Sequence, residues 1–272
     1  MAWALAALAI SAFVAAPTTV AAQTPSSTEW EVTVGGGVEE VASRDEAGSP
    51  LAYYGMGYPV GLRVDARGQR WAGGARTGLF FFGFNGGRLA ADMATDGEPS
   101  HRADSVFVDL AGWLDRQVLE LGGHRLAVGG QLSHWTFFRS YLYNPAQIGS
   151  VEAWDATISA DVRASIDGHT GAMFWGLSAA VPVAGWVIRP SYAVRGDERV
   201  DLVDSNTKVV THGRLTTVHR LQMFQTEATL GLRLGQRWSL QANYRLGRLS
   251  YTNELQTRAF SQRAMLGVGF RF

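Results

Sequence analysis

The sequence predicts an all-β chain, folded as a transmembrane, antiparallel, up-and-down β-barrel. Three observations support this prediction. Apolar and polar residues alternate with a period of two through most of the chain, an apolar leader stands at its start, and its last residue is aromatic. Aromatic residues reach 11% and charged residues only 18%, yet the mean hydropathy is −0.03. Alternating strands give such an average, whereas helical membrane spans would make the chain far more apolar.

The first 22 residues predict a cleavable signal peptide. Trp3 to Ala16 form an apolar run, and Val20-Ala21-Ala22 supplies the small residues that precede a signal peptidase cut. The run is too short to span a bilayer comfortably as a helix. No Lys or Arg precedes it, which departs from the usual signal peptide. We therefore divide the chain into a signal peptide (1–22) and one barrel domain (23–272).

The alternation is clearest near the end of the chain. In 238–246 the residues Trp238, Leu240 and Tyr244 share one face, while polar and charged residues share the other. A soluble β-sandwich also alternates, but charges in the middle of its strands would have to enter a dry core. The predicted strands cover about 28–42, 52–66, 71–84, 105–118, 125–138, 154–166, 171–183, 186–196, 224–234, 238–246 and 258–272.

Short turns followed at once by Trp separate several strands. Gly68-Gln69-Arg70-Trp71 recurs as Gly235-Gln236-Arg237-Trp238, and Ala184-Gly185-Trp186 is similar. We interpret all three as periplasmic turns with an interfacial aromatic anchor. The longer polar connections 85–104 and 197–217 would then lie outside the cell.

The number of strands follows less directly. Eleven segments alternate, but a single-chain bacterial barrel normally has an even number of strands. The length of the mature chain favours about twelve strands, with ten as the second choice.

The C-terminal strand supplies a resemblance. Leu266, Val268, Phe270 and Phe272 share one face, and the chain ends on that aromatic residue. This pattern resembles the C-terminal strand of bacterial outer-membrane β-barrel proteins. The resemblance implies an outer-membrane location, with lipid, lipopolysaccharide and the barrel-assembly machinery as partners, and makes these four residues the assembly signal. It gives neither a specific family nor an oligomeric state.

The polar faces of the strands predict a lumen of mixed charge. Their charged residues either line a water-filled path or fill a narrow barrel with salt bridges. We expect a passive, porin-like channel for small hydrophilic solutes. The first alternative is a closed structural or surface-adhesion barrel that acts through its extracellular loops, and the second is a lipid-modifying enzyme. The predicted lumen-lining residues are Asp109, Asp115, Asp155, Asp161, Arg163, Arg189, Glu227, Arg233, Arg245 and Arg263.

We expect no catalytic residues, cofactor or metal site. Ser133 and His134 are adjacent on a strand and so point to opposite faces, which leaves His134 toward lipid in an aromatic belt with Trp135, Phe137 and Phe138. No spacing of His and acidic residues fits a metal, and the absence of cysteine excludes disulfides and thiol chemistry. The zero net charge gives no electrostatic case for nucleic acid as a partner.

Overall fold

The computed structural model describes residues 28–45, 49–68, 70–82, 89–91, 101–143, 150–188, 214–252 and 256–272. The predicted signal peptide lies outside these residues. None of the described residues forms a helix long and apolar enough to cross a membrane. They form thirteen strands: β1 Glu29–Asp45, β2 Ser49–Gly57, β3 Val60–Arg67, β4 Trp71–Phe82, β5 Leu89–Ala91, β6 His101–Leu121, β7 His124–Tyr143, β8 Ser150–Thr170, β9 Met173–Ile188, β10 Arg214–Thr217, β11 Leu221–Leu234, β12 Trp238–Thr252 and β13 Gln256–Arg271.

Ten of these strands form a closed antiparallel ring. Their order around the wall is β1, β3, β4, β6, β7, β8, β9, β11, β12 and β13, and β13 then pairs with β1 from Glu31–Arg271 to Asp45–Thr257. The three other strands lengthen members of the ring. β2 continues β3 alongside β1, β5 continues β4 alongside β6, and β10 precedes β11 alongside β9. Because the ten strands close into a ring, the barrel wall has no unpaired sheet edge.

The predicted fold class is confirmed, but the preferred count of twelve strands is wrong, and the second choice of ten is correct. The error lies at Ala184-Gly185-Trp186, which is inside β9 and is not a turn. Gly185 makes room there for the Leu221 side chain, because a Cβ atom would collide with that side chain and approach the Ile158 carbonyl oxygen to 3.3 Å. The segments 171–183 and 186–196 were therefore predicted as two strands where the structure has one, and the turn before β9 lies at Gly171.

Four tight turns lie at one end of the barrel, which we call the turn end. They lie at 68–70, 122–123, 171–172 and 235–237, and four of their glycines have positive φ angles between 58° and 81°. The two ends of the barrel chain meet there, since the Phe272 amide donates to the Trp30 carbonyl. The opposite end, the loop end, carries connections of varied length, from residues 253–255 between β12 and β13 to residues 189–213 after β9. Short turns face the periplasm in such barrels, so the loop end faces the cell exterior.

The exterior of the barrel is apolar, and aromatic side chains mark the turn end. Trp30, Trp71, Trp238 and Phe272 are all exposed there, as in the aromatic girdle at a membrane interface. The strands β6, β7 and β8 have 20 or 21 residues, about twice the 9–11 that a membrane crossing requires. This part of the wall therefore extends well beyond the bilayer.

Candidate functional site

The centre of the barrel interior holds a chain of buried ion pairs. Asp109 on β6 accepts hydrogen bonds from both Arg245 Nη atoms, one of them at 3.2 Å. Arg263 on β13 lies 3.4 Å from the same carboxylate and donates to both oxygens of Glu39 at 3.3 Å. Acidic and basic groups thus alternate across four strands. Such pairing is what allows charges to remain inside a low-dielectric interior.

A second group of charges surrounds Glu227 on β11. Arg63 and Arg76, from β3 and β4, each donate to one of its oxygens, and the Arg76 contact is 2.7 Å. Arg63 also donates to Asp65 at 2.6 and 3.0 Å. Glu227 therefore bridges the lumen, because β3 and β4 stand on a different part of the ring from β11.

The third group lies nearer the turn end. Arg163 on β8 donates to Asp115 on β6 at 3.0 Å, across the intervening strand β7. The residue between them is Gly129, which pairs with both. A Cβ atom at this position would lie 2.6 Å from the Asp115 Cα and 2.7 Å from its Oδ1, so only glycine leaves room for the ion pair.

Trp113 and Gln225 join the three groups. The guanidinium groups of Arg63, Arg76 and Arg163 lie 5.1, 5.8 and 5.2 Å from the centre of the Trp113 ring, within cation–π range. Gln225 Oε1 accepts from Arg76 at 3.1 Å and from Arg245 at 2.7 Å. The interior charges therefore form one connected network.

Asp161 differs from the other interior carboxylates. Ser133 Oγ donates to its Oδ2 at 2.5 Å and Gln131 Nε2 lies 3.5 Å from the same atom, but no described arginine lies within salt-bridge distance. Both neighbours stand on β7, beside Asp161 on β8. This carboxylate is held by neutral donors.

Aromatic side chains occupy the interior on the loop-end side of the ion pairs. Phe107 packs edge-on against Trp135 and Phe137, with ring centres 5.4 and 5.9 Å apart. Trp135 also stacks with Arg245 at 5.8 Å. The prediction that Trp135 and Phe137 belong to the outer aromatic belt is therefore wrong. The signal was present in the sequence, because both share their face of β7 with Gln131 and Ser133.

The structure places the predicted lumen residues as follows. Asp109, Asp115, Asp161, Arg163, Arg245 and Arg263 are buried inside the barrel, and the Glu227 side chain is 10% exposed. Asp155 and Arg233 are only partly buried, and Arg189 lies outside the described residues. Glu39, Arg63 and Arg76 were not predicted, although Arg63 and Asp65 share one face of their strand.

Leu266, Val268 and Phe272 are exposed on the outer face, and Phe270 packs against Trp238 at 4.9 Å. Their role as an assembly signal stays a prediction.

The exposure of the interior carboxylates to water shows whether the bore is open. Asp109 is 0% exposed, Glu39 1% and Asp115 2%, so these side chains have almost no contact with water. The space that remains among the described residues includes a cavity of about 110 Å³ at the turn end, beside Glu31, Asp167 and Arg271, and one of about 60 Å³ beside Arg263. Such volumes hold a few water molecules. The lumen is filled at mid-height.

Comparison with known proteins finds similar folds but no similar sequence. No protein-family model matches the chain, and no curated protein sequence is significantly similar to it. Among solved structures, the outer membrane protease OmpT from Escherichia coli is similar to this chain. The similarity covers 94% of this chain and 100% of OmpT, with a TM-score of 0.55 and 11% identity. The fold is that of the bacterial outer-membrane β-barrel proteins. This similarity supports the predicted outer-membrane location.

Other similar structures are more distant. The translocator domain of the autotransporter NalP from Neisseria meningitidis covers 97% of this chain and 93% of its own, at 11% identity and a TM-score of 0.44. The attachment invasion locus protein Ail of Yersinia pestis covers 89% and 98%, at 10% identity and a TM-score of 0.37. At 11% identity, the similarity to OmpT shows the fold and does not determine the function.

Proposed function

We propose that this protein is a closed outer-membrane barrel that acts at the cell surface through its loop end, and that it is not a constitutively open channel. The burial of Asp109, Glu39 and Asp115 carries the proposal, because side chains that line a water-filled path would be accessible to water. The geometry thus favours the first alternative from the sequence over the expected porin-like channel.

The ion pairs also make spontaneous opening costly. A solute that entered the bore would have to separate Arg245 from Asp109 and Arg76 from Glu227 inside a poorly solvated interior. Removing one partner of a buried pair typically costs about 3–5 kcal/mol. Two such barriers in series oppose passive diffusion.

The long strands support a role for the loop end. β6, β7 and β8 carry the wall beyond the bilayer, and the cluster of Phe107, Trp135 and Phe137 fills the interior toward this end. A wall packed from inside gives the outer loops a rigid support. Such a support suits binding of partners at the cell surface.

Conductance of the refolded mature protein in a planar lipid bilayer tests the closed bore. We expect no discrete current steps from wild type. The charge-neutral variant Arg76→Ala/Glu227→Ala, which deletes two side chains at mid-lumen, should produce reproducible steps. The matched control is Arg125→Ala/Asp167→Ala, which removes an ion pair of 3.1 Å near the turn end and should stay silent. Regular steps from folded wild-type protein would overturn the proposal.

The surface role is tested separately with bacteria that produce the protein. Replacing residues 197–213 with a short Gly-Ser linker should reduce adherence of the cells to one another or to a protein-coated surface, with the amount of folded barrel unchanged. Equal adherence of cells with the intact chain, the shortened chain and no protein would contradict a role in surface binding.

A further inference from the structure

The cavity of about 110 Å³ at the turn end, which we call the vestibule, closes toward the centre of the barrel. Its inner end is formed by Trp113, which is 3% exposed, and by the buried pair of Arg163 and Asp115. Its outer end is open, since the side chains of Glu29 and Arg67, which also line it, are 41% and 47% exposed. A molecule can therefore enter from the periplasmic side, and the filled centre blocks its further passage.

One arginine of the vestibule differs from the others that line it. Arg233 lies on the inner face of β11, and no carboxylate of the described residues lies within salt-bridge distance of it. Its Nε atom is buried and has no hydrogen-bond partner. The arginines of the lining that do have a carboxylate oxygen within 3.8 Å are Arg63, Arg67, Arg125, Arg163 and Arg271. Because a buried donor without a partner costs free energy, a ligand that supplies an acceptor would stabilise Arg233.

A carboxylate lies on the other side of Ser239 from Arg233. Ser239 on β12 pairs directly with Arg233, and its hydroxyl donates to Glu31 Oε1 at 2.5 Å. Gln241 donates to the same oxygen. The other oxygen, Oε2, accepts no hydrogen bond from the described residues, and its distance of 3.6 Å from Arg271 is too long for one. The vestibule thus places an unpartnered guanidinium group and a carboxylate oxygen that can still accept on the two sides of one serine.

An aromatic ring forms the wall beside Arg233. Phe174 on β9 lies across Gly231, which shares the inner face of β11 with Arg233, and a Cβ atom at Gly231 would collide with this ring. The whole lining contains six carboxylates and six arginines, so its formal charges cancel. A polyanion would meet carboxylates as often as arginines in such a cavity, whereas a zwitterion matches it.

We propose that the vestibule binds a small zwitterion of the amino-acid class from the periplasm. Its carboxylate pairs with Arg233, its ammonium group donates to Glu31, and its side chain lies against Phe174. A guanidinium group can donate two parallel hydrogen bonds to a carboxylate, and an ammonium group supplies the donors that Glu31 Oε2 can accept. The site lies at the opposite end of the barrel from the loops, so the inference is independent of what the loop end binds.

The test begins with thermal unfolding of the refolded protein in non-ionic detergent, with each standard amino acid and D-alanine added at about 10 mM. At least one should raise the melting temperature, because a ligand of the folded state stabilises it. Titration calorimetry then gives the dissociation constant of the most stabilising amino acid. Arg233→Gln should weaken its binding about 10-fold or more. The matched control Arg237→Gln removes an exposed arginine from the adjacent turn, outside the lining of the vestibule, and should bind like wild type.

Two derivatives of that amino acid separate the contacts at its two ends. The N-acetylated form has no ammonium group, so Glu31→Gln should bind it as wild type does, and Arg233→Gln should bind it more weakly. The carboxamide has no carboxylate, so wild type and Arg233→Gln should bind it equally weakly.

Three results would overturn the proposal: no amino acid raises the melting temperature, Arg233→Gln binds as tightly as wild type, or acetate or inorganic phosphate binds wild type as tightly as the amino acid does. The last result would indicate a simple anion site. Heat-modifiable gel migration checks that each protein is folded. If Arg233→Gln does not fold, Arg233→Lys should still bind several-fold more weakly than wild type, because lysine keeps the charge but not the planar fork of donors.

Discussion

The barrel uses arginine in opposite ways on its two faces. Inside, Arg63, Arg163 and Arg245 each lie against a carboxylate and an aromatic ring. Outside, Arg258 stands opposite Arg44, a residue of the same charge. These inner arginines are thus paired with carboxylates inside the barrel, whereas the outer pair places two exposed like charges opposite each other.

This difference indicates what each surface does. A lumen whose charges are neutralised by neighbouring side chains is a packed interior that happens to be polar. Charges on the outer face are exposed, so salt screens their interactions. The effects of substitutions on the two faces should therefore differ in size and in their dependence on salt.

The largest effect is expected from Asp109→Asn. The variant keeps the shape of the side chain but leaves Arg245 without its carboxylate partner, at a position with no access to water. Unfolding by urea in lipid vesicles should show a loss of about 3–5 kcal/mol. The control is Asp161→Asn, whose carboxylate is bound by Ser133 and Gln131, and it should lose less than about 1 kcal/mol. Equal losses would mean that the ion pairs do not determine the stability of the interior.

The second largest effect on stability is expected from adding a single methyl group at Gly129. Gly129→Ala should destabilise the barrel by about 1–3 kcal/mol, because the new Cβ would collide with the Leu114 carbonyl oxygen and lie 2.6 Å from the Asp115 Cα. The neighbouring Gly130→Ala points outward, where its Cβ would meet the Asp161 carbonyl oxygen at an ordinary 3.8 Å, and should change stability little. The same unfolding assay compares the two. A larger loss for Gly130→Ala would contradict the assignment of inner and outer faces.

The smallest effect is expected on the outer face. In vesicles of zwitterionic lipid, Arg258→Gln should stabilise the barrel by about 0.2–1 kcal/mol, since it removes a directly opposed like charge. Raising the ionic strength should shrink this gain, because salt screens exposed charges. A loss of stability that does not respond to salt would show that Arg258 has a packing role in the wall.

Much of the fold could be predicted because alternation reports directly on the two faces of a strand. It placed Asp109, Asp161 and Arg245 on the inner face, and Leu266 and Val268 on the outer face. It failed at Gly185, where a glycine that makes room for Leu221 has the same sequence appearance as a turn. Trp135 was misassigned because its aromatic character outweighed its position in the alternation.

The pairing inside the lumen was beyond sequence reasoning. Asp109 and Arg245 are separated by 136 residues, and their contact depends on the number of strands and on the stagger of the ring. A barrel of twelve strands would have a wider bore, in which the same residues could line water. The choice between ten and twelve strands therefore also decided between a filled and an open lumen.

The seam between β1 and β13 has a consequence for biogenesis. The first strand of the barrel pairs with its last strand, so a chain without β13 has two unpaired sheet edges. A chain that stopped before Trp238 would lack Arg263 and Arg245, the arginines that neutralise the Glu39 and Asp109 side chains. The barrel can therefore close only after β13 has been synthesised and has reached the membrane together with β1.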